Sequence, residues 1–129
     1  MKSSTKGSIL LLDDDKFLLE MYTMKFTQAG FEVHPASSRD AALQILREGI
    51  EPDAILFDLI MPEGDGFSFF EMMRKENIAP KALKIALTNE NSEEEKKRIM
   101  DLGASDYLVK ATMIPSEVVE WVGGMISHK

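Results

Sequence analysis

The chain contains no cysteine, which excludes a disulfide framework and any thiolate-held zinc. A cysteine-free chain fits an intracellular compartment, here expected to be the cytoplasm. No apolar run approaches the roughly 20 residues that a membrane-crossing helix needs, so membrane insertion is not expected. Met1 to Ser8 are polar and lack the apolar core of a secretory signal; about residues 1–7 are expected to be a flexible start. Basic residues are in the minority, 15 against 22 acidic, for a net charge of −7. A binder of nucleic-acid phosphates carries a basic face, so nucleic acid is not an expected partner. Histidine is scarce, and His34 and His128 stand too far from other ligand types to form a metal site.

What remains is an ordinary globular composition, 44% hydrophobic and 29% charged over 129 residues, enough for one domain with a core over 1–129. Short apolar runs alternate with longer amphipathic stretches. Ile9-Leu10-Leu11-Leu12 reads as a strand buried on both faces and stops abruptly at Asp13-Asp14-Asp15. From Lys16 the period becomes helical, placing Leu18, Met21, Tyr22, Phe26 and Ala29 on one face, with Gly30 as a stop. Phe31 to Ala36 reads as a second strand, at an edge because of Pro35. Ser38 caps a helix through Ala42, Leu43, Ile45 and Leu46. Ala54-Ile55-Leu56-Phe57 is a third strand, ending at Asp58. A loop, Pro62-Glu63-Gly64-Asp65-Gly66, leads into a helix through Phe67, Phe70 and Met73. Leu83 to Leu87 is a fourth strand ending at Thr88. Ser92 caps a charged helix that closes at Gly103, and Tyr107-Leu108-Val109 is a fifth strand ending at Lys110. Pro115 opens a last helix carrying Val118, Val119 and Val122. Strict strand–helix alternation implies a parallel sheet covered on both faces. Only Ser127-His128-Lys129 follow, so no output domain is expected within the chain.

The polar residues fall in a pattern. Asp13 and Asp14, Asp58, Thr88 and Lys110 terminate four different predicted strands, and open α/β sheets bind ligands at the carboxyl ends of their strands. Three carboxylates in one pocket repel each other, a penalty that a divalent cation reverses. Mg²⁺ accepts a few carboxylates together with waters and phosphate oxygens. Asp58 can then act as nucleophile toward a phosphoryl group, with Lys110 and Thr88 neutralising and orienting its oxygens. Asp15 has a simpler reading, as an acid at a helix N-terminus. Trp121 falls off the Val118/Val122 stripe and is expected to sit part-exposed, either as ordinary packing or as an anchor for a partner.

In these residues the sequence resembles the receiver domain of bacterial response regulators. The likeness rests on Ile9 to Asp15, on Phe57-Asp58-Leu59-Ile60-Met61-Pro62-Glu63-Gly64-Asp65-Gly66-Phe67, on Ala86-Leu87-Thr88, and on Gly103-Ala104-Ser105-Asp106-Tyr107-Leu108-Val109-Lys110, in that order. The resemblance implies a flavodoxin-like, doubly wound, five-stranded parallel sheet of order 2-1-3-4-5 with five helices. It implies Asp58 as the phosphorylation site. Mg²⁺ would be held by Asp14 and Asp58 directly, by Asp13 through water, and by the backbone carbonyl of Ile60. Thr88 and Tyr107 would be a switch pair, and a sensor histidine kinase or histidine phosphotransfer protein the donor. Such a domain is a phospho-acceptor rather than a turnover enzyme, expected as a monomer or weak dimer, with partner surfaces on the fourth helix, fifth strand and fifth helix. The sequence departs from the family in three places. Asn89 stands where a small residue is usual and is expected to crowd the path of the Tyr107 ring. Ala111 replaces the proline that usually follows the lysine after a cis bond, and the loop to Pro115 is one residue longer. The extra residue offers slack, so a trans Lys110-Ala111 bond is expected with the ammonium still reaching Asp58.

Two other functions compete. A phosphatase of the haloacid-dehalogenase type would use Asp13, Asp15, Thr88 and Lys110 but leaves Asp58 and its loop unexplained. A receiver-shaped interaction module that no longer uses phosphate would have no need of the complete set of polar strand ends.

Overall fold

The structure, a computed structural model, describes residues 5–61, 66–89 and 91–128. Its elements run β1 (Ser8–Leu12), α1 (Lys16–Gln28), β2 (Glu32–Ala36), α2 (Arg39–Arg47), β3 (Ala54–Phe57), α3 (Gly66–Lys75), β4 (Leu83–Thr88), α4 (Glu93–Asp101), β5 (Asp106–Val109), a 3-10 turn (Lys110–Thr112) and α5 (Pro115–Ser127). The strands are all parallel, in the order β2-β1-β3-β4-β5. This is the flavodoxin-like doubly wound sheet, with Pro35 on the edge strand β2 where a missing N–H does least harm. Most of the loop 62–66 expected between β3 and α3 lies outside the described residues, as do residues 1–4. Lys6 and Gly7, assigned from the sequence to a flexible start, are already hydrogen-bonded: Lys6 N–H donates to the Gly30 carbonyl and Glu32 N–H to the Gly7 carbonyl, both at 2.9 Å.

The two-residue period of each strand divides the core between two faces. Leu10, Leu12, Ile55, Phe57, Ala86 and Tyr107 face α2, α3 and α4, whereas Ile9, Leu11, Leu56, Ile85, Leu87 and Leu108 face α1 and α5. Each helix brings a matching stripe. Leu43 and Leu46 come from α2, Phe69, Phe70 and Met73 from α3, Ile99 from α4, and Val118 and Val122 from α5. Phe57 is fully buried between Phe69 and Phe70, ring centroids 5.8 and 6.0 Å away. Burying one such ring stabilises the fold by about 2–3 kcal/mol. On α1 the buried residues are Leu19, Tyr22 and Phe26, which corrects the expected face. Leu18 and Met21 are only partly buried against that layer, because the helix is rolled slightly toward Leu19 while Tyr22 and Phe26 stay on the buried face.

The caps follow the sequence closely. Asp15 accepts from Leu18 N–H, Ser38 from Ala41 N–H and Ser92 from Glu95 N–H, each at 3.1 Å, satisfying donors that the first helical turn leaves over. Gly103 closes the chain after α4 with φ +115°, a conformation that a side chain would strain.

Candidate functional site

The strand register brings the polar strand ends together. Leu12 is level with Phe57 across β1 and β3, and Phe57 is level with Ala86 across β3 and β4. Asp13 and Asp58, each one residue further, therefore emerge side by side on the two central strands. The chain leaves β1 toward β2 on one side and returns to β3 on the other, so this point is also where the sheet's winding reverses. Thr88 pairs with Val109 at the end of β4 and β5, and Lys110 follows directly.

Asp13, Asp58 and Thr88 are the three polar or charged residues among the described buried set. The Lys110 ammonium lies between the two acids, 2.5 Å from Asp13 Oδ2 and 3.3 Å from Asp58 Oδ2. The remaining oxygens are held by main chain: Asp13 Oδ1 accepts from Asp15 N–H at 2.9 Å and Asp58 Oδ1 from Ile60 N–H at 3.1 Å. Asp14 is exposed beside them, and carboxylate oxygens of Asp13, Asp14 and Asp58 lie within 4.8 Å of one another. A cavity of about 260 Å³ opens over this cluster, lined by Asp14, Asp15, Asp58, Ile60, Thr88 and Asn89.

Burial pushes the Asp58 carboxyl above its usual range, with the charge of Asp13 adding to the rise; the Lys110 ammonium and the Ile60 N–H oppose it. Lys110 loses hydration too, but its hydrogen bond to Asp13 and the charges of both acids outweigh that loss and raise it. The ammonium therefore stays charged, and with all three acids ionised the cluster carries two uncompensated negative charges. A divalent cation would neutralise them. Clustered carboxylate oxygens with an open side for water are the donors that Mg²⁺ takes, so the residues fit that ion, and Asp13, Asp14 and Asp58 are the side chains that could hold it.

The sequence expectations fare differently one by one. Asp15, which a dehalogenase-type reading needs in the chemistry, turns its carboxylate to the start of α1 instead. Asn89 is exposed and lines the cavity, and Tyr107 is buried all the same, so Asn89 does not keep the ring out. The Tyr107 hydroxyl accepts from Ser92 N–H at 3.2 Å, joining β5 to the cap of α4. The Lys110–Ala111 bond is trans, and the additional residue is taken up in the 3-10 turn, where Met113 N–H donates to the Lys110 carbonyl at 3.4 Å. Trp121 is indeed part-exposed, but its bond to Asp106 had no signal in the periodicity. The closer approach of Lys110 to Asp13 than to Asp58 was not legible either.

A family model described as the response regulator receiver domain matches residues 9–120. The chain belongs to that family. Among curated relatives, the phosphate regulon transcriptional regulatory protein PhoB of Escherichia coli K12 is 32% identical over 111 residues, covering 86% of this chain and 48% of that protein. The DNA-binding dual master transcriptional regulator RpaA of Synechocystis is 30% identical, covering 79% of this chain and 42% of RpaA. This receiver thus spans less than half the length of these relatives. Among solved structures, the receiver domain of the Francisella response regulator 1452 is 30% identical with a TM-score of 0.83, covering 95% of this chain and 98% of that one. A CheY-like receiver domain protein from Methanospirillum hungatei is 26% identical with a TM-score of 0.85, over 97% and 96% of the two chains. The receiver is therefore a signalling domain of the two-component response-regulator kind. Among the described residues no helix is long and apolar enough to cross a membrane.

Proposed function

We propose that this receiver accepts a phosphoryl group on Asp58 from a phosphohistidine of a partner kinase or phosphotransfer protein, and that Mg²⁺ is required. The observation that carries this reading is the pairing of a buried carboxylate on a central strand end with a buried ammonium 3.3 Å away, beside two further acids under an open cavity.

The chemistry follows from the charges. An Asp58 carboxylate oxygen attacks phosphorus, the P–O bond forms as the P–N bond to the donor imidazole breaks, and the imidazole leaves with its electron pair. Mg²⁺, held by Asp13, Asp14, Asp58 and the Ile60 carbonyl, would supply charge neutralisation for the phosphoryl oxygens. The chain's own residues do the rest. Ile60 N–H and Lys110 fix the Asp58 carboxylate in one orientation from opposite sides. Lys110, already charged within the site, follows the negative charge that arrives with the phosphoryl group. The Thr88 hydroxyl, on a residue that lines the same cavity, would donate to a phosphoryl oxygen, and Tyr107 would carry that change to α4 through its bond with Ser92 N–H. The product is an acyl phosphate that signals by changing a protein surface, so turnover of free substrates is not its task. With a net charge of −7, the partners are proteins and not nucleic acid.

The test is Asp58→Asn, which keeps an acceptor for Ile60 N–H but removes the nucleophile. Wild type should take up label stoichiometrically from acetyl phosphate with Mg²⁺, and the variant should take up none while melting cooperatively. Equal labelling of both proteins contradicts the assignment; a wild type that takes no label from acetyl phosphate or from any histidine donor supports the phosphate-independent module.

A further inference from the structure

Helices α2 and α3 both end at the pole of the sheet opposite Asp58, and the loops that follow them enclose a cavity of about 680 Å³. One wall is the connection from α2 to β3, residues 49–53, and the other the connection from α3 to β4, residues 77–82. Asp53 lies at the entry of β3 and Asp58 beyond its exit, about 16 Å apart at the rise of a strand. The cavity shares no residue with the one over Asp58.

Fixed contacts hold the two walls apart. The Arg47 guanidinium at the end of α2 forks onto Glu76 after α3, Nε to Oε1 at 3.0 Å and Nη2 to Oε2 at 2.6 Å, a two-bond geometry that sets the spacing of the helix ends. Where the loops enter the sheet, Leu83 N–H donates to the Asp53 carbonyl at 2.9 Å. The second wall also stores strain. Asn77 and Ala79 lie in the left-handed region, at φ +53° and +47°, which a Cβ disfavours. The Lys84 ammonium holds that shape by donating to the Ala79 carbonyl at 2.7 Å and the Ala82 carbonyl at 3.1 Å. Strain of this kind persists where its surroundings over-determine it, and it clusters at ligand sites.

The chemistry of the lining is divided. Leu46, Pro52 and Ala82, all buried, make an apolar floor, and half-buried Ile50 and Ile78 extend it, one on each wall. Above the floor the walls carry opposite charges, Glu51 on the first and Lys81 on the second, both exposed. Neither side chain has an ion-pair partner among the described residues. Arg47 and Asp53 reach the cavity too, but Arg47 is engaged by Glu76, and Asp53 accepts from Ser8 N–H at 2.9 Å. A preformed cavity with an apolar floor and a few polar groups is what a small-molecule site needs. Opposite charges on facing walls complement a ligand charged at both ends with an apolar body between them.

We propose that this cavity binds a short apolar peptide with free termini, of dipeptide size, its ammonium at Glu51 and its carboxylate at Lys81. The apolar side chains rest on Leu46, Pro52 and Ala82. The occupant follows from charge complementarity across the walls, and a single amino acid would leave most of the space to water. The site stands apart from phosphoryl transfer at Asp58 and does not depend on it.

The test is titration of the intact chain with Leu-Leu, followed by backbone amide shifts, with acetyl-Leu-Leu and Leu-Leu-amide alongside. Leu-Leu should bind saturably, with shifts centred on residues 46–53 and 77–82. Each blocked peptide should bind about threefold more weakly, the worth of one part-exposed ion pair. Glu51→Gln should weaken Leu-Leu by the same factor and leave acetyl-Leu-Leu, which has no ammonium, unchanged. Lys81→Gln should weaken Leu-Leu and leave Leu-Leu-amide, which has no carboxylate, unchanged. No saturable binding of Leu-Leu, shifts centred elsewhere, blocked peptides that bind as tightly as Leu-Leu, or a variant that fails its matched pair would each overturn the proposal. Every arm runs without phosphate or Mg²⁺, so failure here is distinct from failure at Asp58.

Discussion

Gly66 is the residue at which the fold and the site depend on the same few atoms. A Cβ built there would stand 2.2 Å from the Asp58 carbonyl oxygen, 2.9 Å from Leu59 Cα and 3.0 Å from the Asp58 carbonyl carbon. A carbon rests against a carbonyl oxygen at roughly 3.3 Å, so Gly66→Ala demands about 1 Å of movement. All three obstacles are main chain, which has no rotamer to change. Gly66 N–H also donates to the Leu59 carbonyl at 3.0 Å, so α3 cannot back away without breaking that bond. Overpacking against side chains costs about 1–3 kcal/mol; against backbone the upper end, about 3 kcal/mol, is expected. With roughly 2.1 cal/mol/K of unfolding entropy per residue over 129 residues, 1 kcal/mol moves Tm by about 4 °C. The variant should therefore melt about 11 °C lower. Gly124→Ala is the matched control: on α5 nothing lies within 4 Å of its added Cβ, and gaining helix propensity of about 0.5–1 kcal/mol should raise Tm by roughly 2–4 °C. Thermal unfolding by circular dichroism in one buffer reads both. A Gly66→Ala protein within about 2 °C of wild type, or a Gly124→Ala protein that melts lower, refutes the argument. Label uptake gives a second readout, since the displaced backbone carries Asp58.

Other outcomes concern the charge cluster. Mg²⁺ should stabilise the chain by about 2.7 kcal/mol at a hundredfold excess over its Kd, close to 10 °C in Tm. Asp14→Ala, which removes an exposed acid, should erase most of that gain without lowering the metal-free Tm; a wild type indifferent to millimolar Mg²⁺ contradicts the site. The pH dependence has a definite sign. The folded Asp58 pKa lies above its usual value of 3.8, so the folded state binds more protons at this group and stability falls as pH rises through the raised pKa. Without Mg²⁺, wild type should accordingly lose stability relative to Asp58→Asn on going from pH 4 toward neutrality, and a difference in unfolding free energy that stays flat with pH would show that burial does not dominate.

Much of this protein was already determined by local sequence. Apolar runs that stop at Asp13, Asp58, Thr88 and Lys110 define strands whose ends are polar, and Ser38, Ser92 and Pro115 mark helix starts, because caps and hydrophobic periods act over four or five residues. Strict alternation then leaves a doubly wound parallel sheet as the way to bury every stripe, so convergence of the polar ends was legible too. Tertiary structure decided what depends on the relative placement of elements. The roll of α1 put Leu19 in the core in place of Leu18 and Met21. Register across β1, β3 and β5 determined that Lys110 sits closer to Asp13 than to Asp58. The packing of α3 on the exit of β3 made Gly66 irreplaceable, and the approach of α5 to β5 tied Trp121 to Asp106. Each of these is a contact between residues distant in the chain or a sub-ångström fit, and a sequence period of two or 3.6 residues carries no information about either.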